Sequence, residues 1–427
     1  MLNFLDLFAG AGGLSEGFIQ AGYTPIAHVE MDKAACNTLK TRTAYHWLKS
    51  QGKTEIYNQY LRGEIHRDEL YQAIPQEVLN SVLNYEISEE ALPEIFQKID
   101  NLLGSQSLDL IVGGPPCQAY SIVGRARDEN GMVGDKRNYL YKLYAKFLER
   151  YRPKYFVFEN VVGLLSAKDE DGSLHFDNMR NLFQKCGYST EYKVLNAVDY
   201  GVLQNRKRII LIGKLGQSCD FYPDIPHVDT SKVTVAEILN DLPEIRAGGG
   251  QYAPVETKDY TGTYLYDVAV KSYNHEPVTF HTARPHIPQD LKIYKLAVKA
   301  WNMDHARISY TDLPPKLQTH HNTTDFLDRF KVVAADLHYS QTVVAHISRD
   351  GHYYIHPDIK QNRSLTPREA ARLQTFPDNY YFESTKEEPG RTAAFRQIGN
   401  AVPVRLAYSV AAALKRSLVE EKRCEQK

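Results

Sequence analysis

Residues Leu108 to Ser121, LDLIVGGPPCQAYS, constrain this chain more than any other stretch. The run Leu108–Val112 is short, apolar and rich in β-branched residues, the pattern of a strand buried on both faces. It stops at Gly113-Gly114 and then at Pro115-Pro116, which neither a helix nor a central strand can continue through. Cys117 follows at once. The pattern predicts a thiol held on a stiff turn at the carboxyl end of a buried strand, the edge where open α/β sheets place their reactive groups. A lone cysteine in such a chain is usually a small core residue. Packing alone does not call for two glycines and two prolines before it, so Cys117 reads as a nucleophile.

The amino terminus repeats the theme. Asn3 to Phe8 reads as a strand, Ala9-Gly10-Ala11-Gly12-Gly13 as a turn, and Leu14 to Ala21 as a helix, the order of a Rossmann-like nucleotide site. A second strand, Pro25 to Val29, ends at Glu30-Met31-Asp32. An acidic side chain there can accept hydrogen bonds from both hydroxyls of a ribose. Residues 41–107 form a charged insertion. Val78, Leu79, Val82 and Leu83 have helical spacing, as do Ile95, Ile99 and Leu102, so ordered helices are expected. Ser121 to Arg137 holds three glycines and four basic residues, and reads either as a solvated loop or as a lid that closes over a polyanion. Lys154 to Phe158 is another buried strand and delivers Glu159-Asn160-Val161. A carboxylate directly after such a strand suits acid–base work. Gln204, Arg206 and Arg208 share one face if extended and lead into the strand Ile209 to Ile212. Thr366, Pro367 and Glu369 carry the capping-box pattern, so a helix begins at Pro367. The tail from Glu420 to Lys427 is expected to fray.

From about Leu215 to His356 the α/β rhythm stops, and ten of the fifteen histidines lie between His275 and His356. None has convincing metal spacing. A separate domain rich in aromatic, basic and hydrogen-bonding side chains suits the reading of base edges. The net charge of −1 does not advertise a nucleic-acid binder, so contact with a polyanion would have to come from local basic patches. Five scattered cysteines suggest neither a disulfide framework nor zinc. No apolar run is long enough to span a bilayer and no secretory signal is seen, so a cytoplasmic protein is expected.

These motifs resemble those of the DNA (cytosine-5)-methyltransferases. The run Gly114–Ser121 is similar to the family's prolyl-cysteine signature, with Tyr120 where Phe is usual. Asp6–Gly13, Glu159-Asn160-Val161, Gln204-x-Arg206-x-Arg208, the helix after Thr366 and Gly399-Asn400-Ala401-Val402-Pro403 match further elements in the family's order. The resemblance implies an α/β fold: a Rossmann-like methyltransferase with a mostly parallel sheet, plus a smaller target-recognition domain. It divides the chain into a catalytic domain (1–214), a recognition domain (215–362) and a segment that returns to the catalytic domain (363–427). It implies S-adenosylmethionine as methyl donor, with Phe8, Gly10, Gly12, Glu30, Met31, Pro116, Leu140 and Asn400 around it, and no metal. It makes Cys117 the nucleophile, Glu159 the contact to N3 and the exocyclic amine of cytosine, and Arg206 and Arg208 the holders of the pocket and base. Gln118, Ser121, Arg125, Arg127 and Gln204 are implied at the DNA. The expected protein is a monomer acting on duplex DNA, the modification partner of a restriction endonuclease. Asp100 and Glu64 are both open as contacts to the adenine. An RNA cytosine methyltransferase and a catalytically silent DNA-binding relative are the alternatives; intact Cys117, Glu159 and Arg208 speak against the second.

Overall fold

A computed structural model describes residues 2–116, 136–319, 324 and 327–425. Its centre is a seven-stranded sheet in the order β3-β2-β1-β4-β5-β7-β6. The strands are β1 (Asn3–Leu7), β2 (Thr24–Glu30), β3 (Val82–Asn84), β4 (Leu110–Gly113), β5 (Tyr155–Val161), β6 (Tyr188–Asn196) and β7 (Lys207–Leu215). β3, β2, β1, β4 and β5 pair in parallel, and β7 runs antiparallel between β5 and β6.

Period-two alternation divides each central strand between two cores. Phe4, Leu110, Val112, Tyr155, Val157, Ile210 and Ile212 face one side. Leu5, Leu7, Ile111, Phe156, Phe158, Ile209 and Leu211 face the other. The first face is covered by helix α1 (Gly13–Gln20) and by the last helix of the chain. The second is covered largely by α6, α7 and α8, defined below. Both faces are dry, which is why these strands read as continuous apolar runs.

The insertion departs from expectation at one point. After α2 (Lys33–Ser50) come α3 (Thr54–Leu61), α4 (Arg67–Gln72) and α5 (Gln76–Leu79), with a small core of their own. Val82 and Leu83, expected to be helical, instead form β3 and pair with His28 and Val29. Two adjacent apolar residues fit either period, and the vacant edge of β2 decides for the strand. Ile95 and Ile99 do lie on a helix, α6 (Leu92–Leu103). α7 (Leu140–Tyr151) and α8 (His175–Lys185) follow. Glu159 also differs from expectation: it lies within β5, opposite Ile210, not beyond the strand end.

Beyond the sheet, α9 (Pro288–Asp304) anchors a satellite core with Tyr310, Phe330 and Ile355. A larger core joins residues 235–280 and 333–354 to residues 365–404, so the middle of the chain and its C-terminal arm share one interior. That arm contains α10 (Pro367–Leu373), α11 (Arg391–Asn400) and α12 (Val404–Glu425). The α10 cap forms as expected: Thr366 Oγ1 accepts from the Glu369 amide, and Glu369 accepts from the Thr366 amide at 2.7 Å. The expected fraying after Glu420 is not seen in the described part of the tail. Helix α12 runs to Glu425, and Glu421 accepts from Tyr155 Oη at 2.5 Å and pairs with Lys154 and Lys214.

The arm is fastened by charge. Arg372 pairs with Asp241 and, at 2.6 Å, with Asp378, while Lys271 reaches Asp241 at 2.9 Å; all four side chains are fully buried. Burial alone would raise the Asp241 carboxyl, but Arg372 and Lys271 hold it below its ordinary range. An Arg372→Met variant leaves two buried carboxylates short of a partner, and is expected to lose about 3–5 kcal/mol in urea unfolding. A loss within the ordinary surface range of about 0.5 kcal/mol would contradict this.

Acid sensitivity follows from His356. Burial, helped by the Arg363 cation, pushes its imidazole from 6.5 down to about 4. The unfolded chain therefore binds a proton that the folded chain refuses. Stability is complete above pH 6.5 and falls as pH drops from there toward 4. His356→Asn should flatten that decline by up to about 3 kcal/mol in unfolding measured across this window. An unchanged slope would show that His356 does not titrate as described.

Candidate active site

Parallel strands deliver their carboxyl ends to one edge of the sheet. β1 leads into Phe8 and the glycine turn, β2 ends in Glu30 just before Met31, β4 leads into Gly114–Pro116, and β5 carries Glu159 two residues before its end. β7 runs the other way, so its first residues arrive at the same edge, with Arg208 opposite Val161. This reversal brings an arginine from the start of a strand to a glutamate near the end of another. Arg208 Nε donates to Glu159 Oε1 at 2.7 Å, and each side chain is 12% exposed. The pair is sheltered but reachable.

The turn before Cys117 is shaped around that carboxylate. A Cβ on Gly114 would lie 2.6 Å from Glu159 Oε2 and 3.3 Å from the Glu159 carbonyl oxygen, so any larger residue there would push the carboxylate aside. Asn160, next to Glu159, donates from Nδ2 to the Pro115 carbonyl at 3.3 Å and pins the turn from below. Cys117 itself, with Gln118, Ser121, Arg125 and Arg127, lies outside the described residues. Pro116, the last described residue of the turn, is half-buried.

Gly10 and Gly12 adopt φ of 54° and 81°, the left-handed region that glycine enters without strain. Phe8 adopts φ 57° without that freedom, and such strain persists where the surroundings over-determine it. The Gly10 amide donates to Glu30 Oε2 at 2.8 Å and the Asp32 amide to Oε1 at 2.7 Å. Burial pushes the Glu30 carboxyl above its ordinary range, and these two amides oppose the shift. Met31 is exposed beside it. Asn84 at the end of β3 donates to the carbonyls of Glu30 and Met31 at 3.1 and 2.9 Å. Leu140 is half-buried at the start of α7, and Asn400 is exposed at the end of α11.

The remaining motif residues turn inward. Arg206 is 1% exposed and donates to the carbonyls of Val343 (2.5 Å), Gly399 (3.2 Å) and Ala401 (2.9 Å). It braces the backbone on either side of Asn400. Gln204 is fully buried, donates to Leu373 O and Gln374 Oε1, and accepts from the Val343 amide. Its amide is used inside the protein, where it links the stretch before β7 to the C-terminal arm. Neither open choice for the adenine stands at a strand end. Asp100 pairs with Arg150, and Glu64 with Arg62, both on the surface. The acidic residue beside the Glu30 edge is Glu86, exposed two residues beyond β3. Reading β3 as helix hid it.

The strand order and the grouping at this edge define an α/β methyltransferase fold. Two solved structures share it. A protein of an E. coli prophage, described as a DNA modification methyltransferase, superposes with TM-score 0.62 at 23% identity, over 98% of this chain and 100% of that one. The Entamoeba histolytica methyltransferase EhMeth gives 0.54 at 15% identity, over 99% and 98%. The model of the C-5 cytosine-specific DNA methylase family matches residues 2–71 and 82–416, and the chain belongs to that family: it is a DNA cytosine-5 methyltransferase. It is 39% identical to the Type II methyltransferase M.Bpa9945I of Bacillus paralicheniformis, over 96% of this chain and 98% of that protein. It is 30% identical to M.XorII of Xanthomonas oryzae pv. oryzae, over 97% and 84%.

Gly114→Ala tests the geometry directly. Moving Glu159 by about 1 Å should lower the rate of methyl transfer about 100-fold, with the fold intact by circular dichroism. A wild-type rate would show that the close approach at Gly114 is not needed.

Proposed function

We propose that the chain methylates C5 of one cytosine within a short duplex sequence, through a covalent bond from Cys117 to C6 of a base turned out of the helix. The observation that carries this reading is the Glu159–Arg208 pair, lying against the turn that leads into Cys117.

The chemistry follows from the parts. C5 of cytosine is a weak nucleophile. The Cys117 thiolate adds to C6, and the displaced electron pair makes C5 enamine-like. Glu159 meets N3 and the exocyclic amine, where charge builds as the thiolate adds. Arg208 orients Glu159 and holds the base; Arg206 and Gln204 fix the wall behind it. C5 takes a methyl group, a base removes the C5 proton, and the returning electron pair restores the C5–C6 double bond as the thiolate leaves. None of these atoms can be reached in a stacked duplex, so the base is flipped out.

S-adenosylmethionine, when bound, supplies an electrophilic methyl on a sulfonium. The residues present fit it. Glu30 is held ready by two backbone amides, and a Cβ on Gly10 would meet nothing within 4 Å, so there is room beside the turn. Glu30 would take the ribose and Glu86 the adenine. Phe8, Gly12, Met31, Pro116, Leu140 and Asn400 would line the rest. Residues 215–362 would read the DNA, with Gln118, Ser121, Arg125 and Arg127 at the flipped base and its phosphates. The names of the similar Type II enzymes support a restriction–modification role, with a cognate endonuclease as functional partner.

The test is transfer of labelled methyl to duplex DNA and to tRNA, offered separately, with base-resolution mapping. Label at C5 within one recurring DNA sequence is expected; label in tRNA alone would move the protein to RNA. Cys117→Ala should bind DNA yet leave it unmethylated, and turnover by that variant would refute the covalent route.

A further inference from the structure

The glycine turn beside Glu30 is held from two sides, and only one of them belongs to the motifs already described. Glu30 holds the Gly10 amide. On the other side, Tyr380 Oη donates to the Ala11 carbonyl at 2.5 Å. The ring lies directly beneath the turn: a Cβ on Gly12 would come within 2.8 Å of the same hydroxyl oxygen. Tyr380 is fully buried and 369 residues away in sequence, so nothing local places it there.

What places it is the insertion. Asn379, its neighbour, accepts from Arg42 Nη1 at Oδ1 and from Tyr57 Oη at its carbonyl, both at 2.8 Å. Three residues on, Glu383 accepts from Thr41 Oγ1 and Tyr60 Oη, both at 2.6 Å. Arg42 also lies 4.7 Å from the Tyr380 ring centroid and grips Glu16, in the first turn of α1, through two hydrogen bonds. The tie therefore closes on itself. It runs from the glycine turn through Tyr380 and Arg42 to the helix that follows the turn.

We propose that Tyr380 is a positioning residue for the Ala11–Gly12 turn, and that residues 41–61 brace it there so that the turn is set before the methyl donor binds. The physical reason is entropy. A turn with glycine on both sides of Ala11 is conformationally loose. Ordering it on binding would draw on the donor's affinity, and ordering it beforehand spares that loss. The inference rests on the donor-site reading given above. It also assigns a task to the insertion, which carries none of the matched motifs.

Tyr380→Phe keeps the ring and removes one hydroxyl. In calorimetric titration of the full chain with S-adenosylmethionine, that variant should bind about tenfold more weakly, the value of one buried hydrogen bond. Its affinity for duplex DNA should stay at the wild-type value, and amide exchange in residues 9–13 of the ligand-free protein should quicken. A residue that merely fills the core would leave donor affinity alone, so equal affinities in Tyr380→Phe and wild type overturn the proposal. If that variant does not fold, Tyr57→Phe removes one brace and leaves Tyr380 whole; it should weaken donor binding about threefold, within the range of one hydrogen bond, and equal affinity again overturns the proposal. Failure of the wild type to bind the donor at all would overturn the donor-site reading, and this inference with it.

Discussion

The buried guanidinium of Arg372 is the joint on which the two halves of this protein depend. It pairs with Asp241 from the middle of the chain and with Asp378 from its own arm, in an interior closed to water. Removing two or three charges from water is expensive, and such a cluster persists only when each charge finds its partner at the right distance. The network therefore works as a register device. Just after α10, Gln374 donates to the carbonyls of Ile398 and Ala401 and accepts from Gln204. Fixing α10 thus fixes the backbone around Asn400 relative to the sheet.

The second determinant is the reversed direction of β7. A parallel strand in its place would carry Arg208 to the opposite edge, away from Glu159. Running antiparallel, it sets a cation against the carboxylate of β5 with both partners sheltered. Arg206, two residues earlier, lies inside and is spent on three backbone carbonyls. One short extended stretch thus pairs with the β5 carboxylate at its outer end and braces the scaffold at its inner end.

Much of this was legible beforehand, for identifiable reasons. Strands buried on both faces announce themselves as short apolar runs, so β1, β2, β4, β5 and β7 were found within a few residues. The Thr366 cap was legible because its two reciprocal hydrogen bonds lie within four consecutive residues. β3 was missed because Val82 and Leu83 satisfy a helical as well as an extended period, and only the open edge of β2 separates them. The burial of Gln204 was not legible, because spacing reports which residues share a face but not whether that face meets solvent. Asn160 was legible only as part of the Glu159-Asn160-Val161 motif, and Glu86 carried no signal of its own. Their meaning comes from the Pro115 carbonyl and from the β2 edge, which the chain reaches only on folding.

The sequence by itself determined the motifs: a cysteine behind a proline turn, a glutamate delivered by a buried strand, two alternating arginines and a glycine turn followed by an acidic residue, in one order. These are local properties, set by backbone stereochemistry and the functional group of each side chain. Tertiary structure decided which members of those motifs face the site and which face inward. It also decided that a tyrosine near the end of the chain sits beneath a glycine turn at its beginning. Contacts between residues hundreds of positions apart leave no periodic trace. They exist because burying α12 and the arm against the sheet draws those segments together, and the buried polar groups they carry must then find partners.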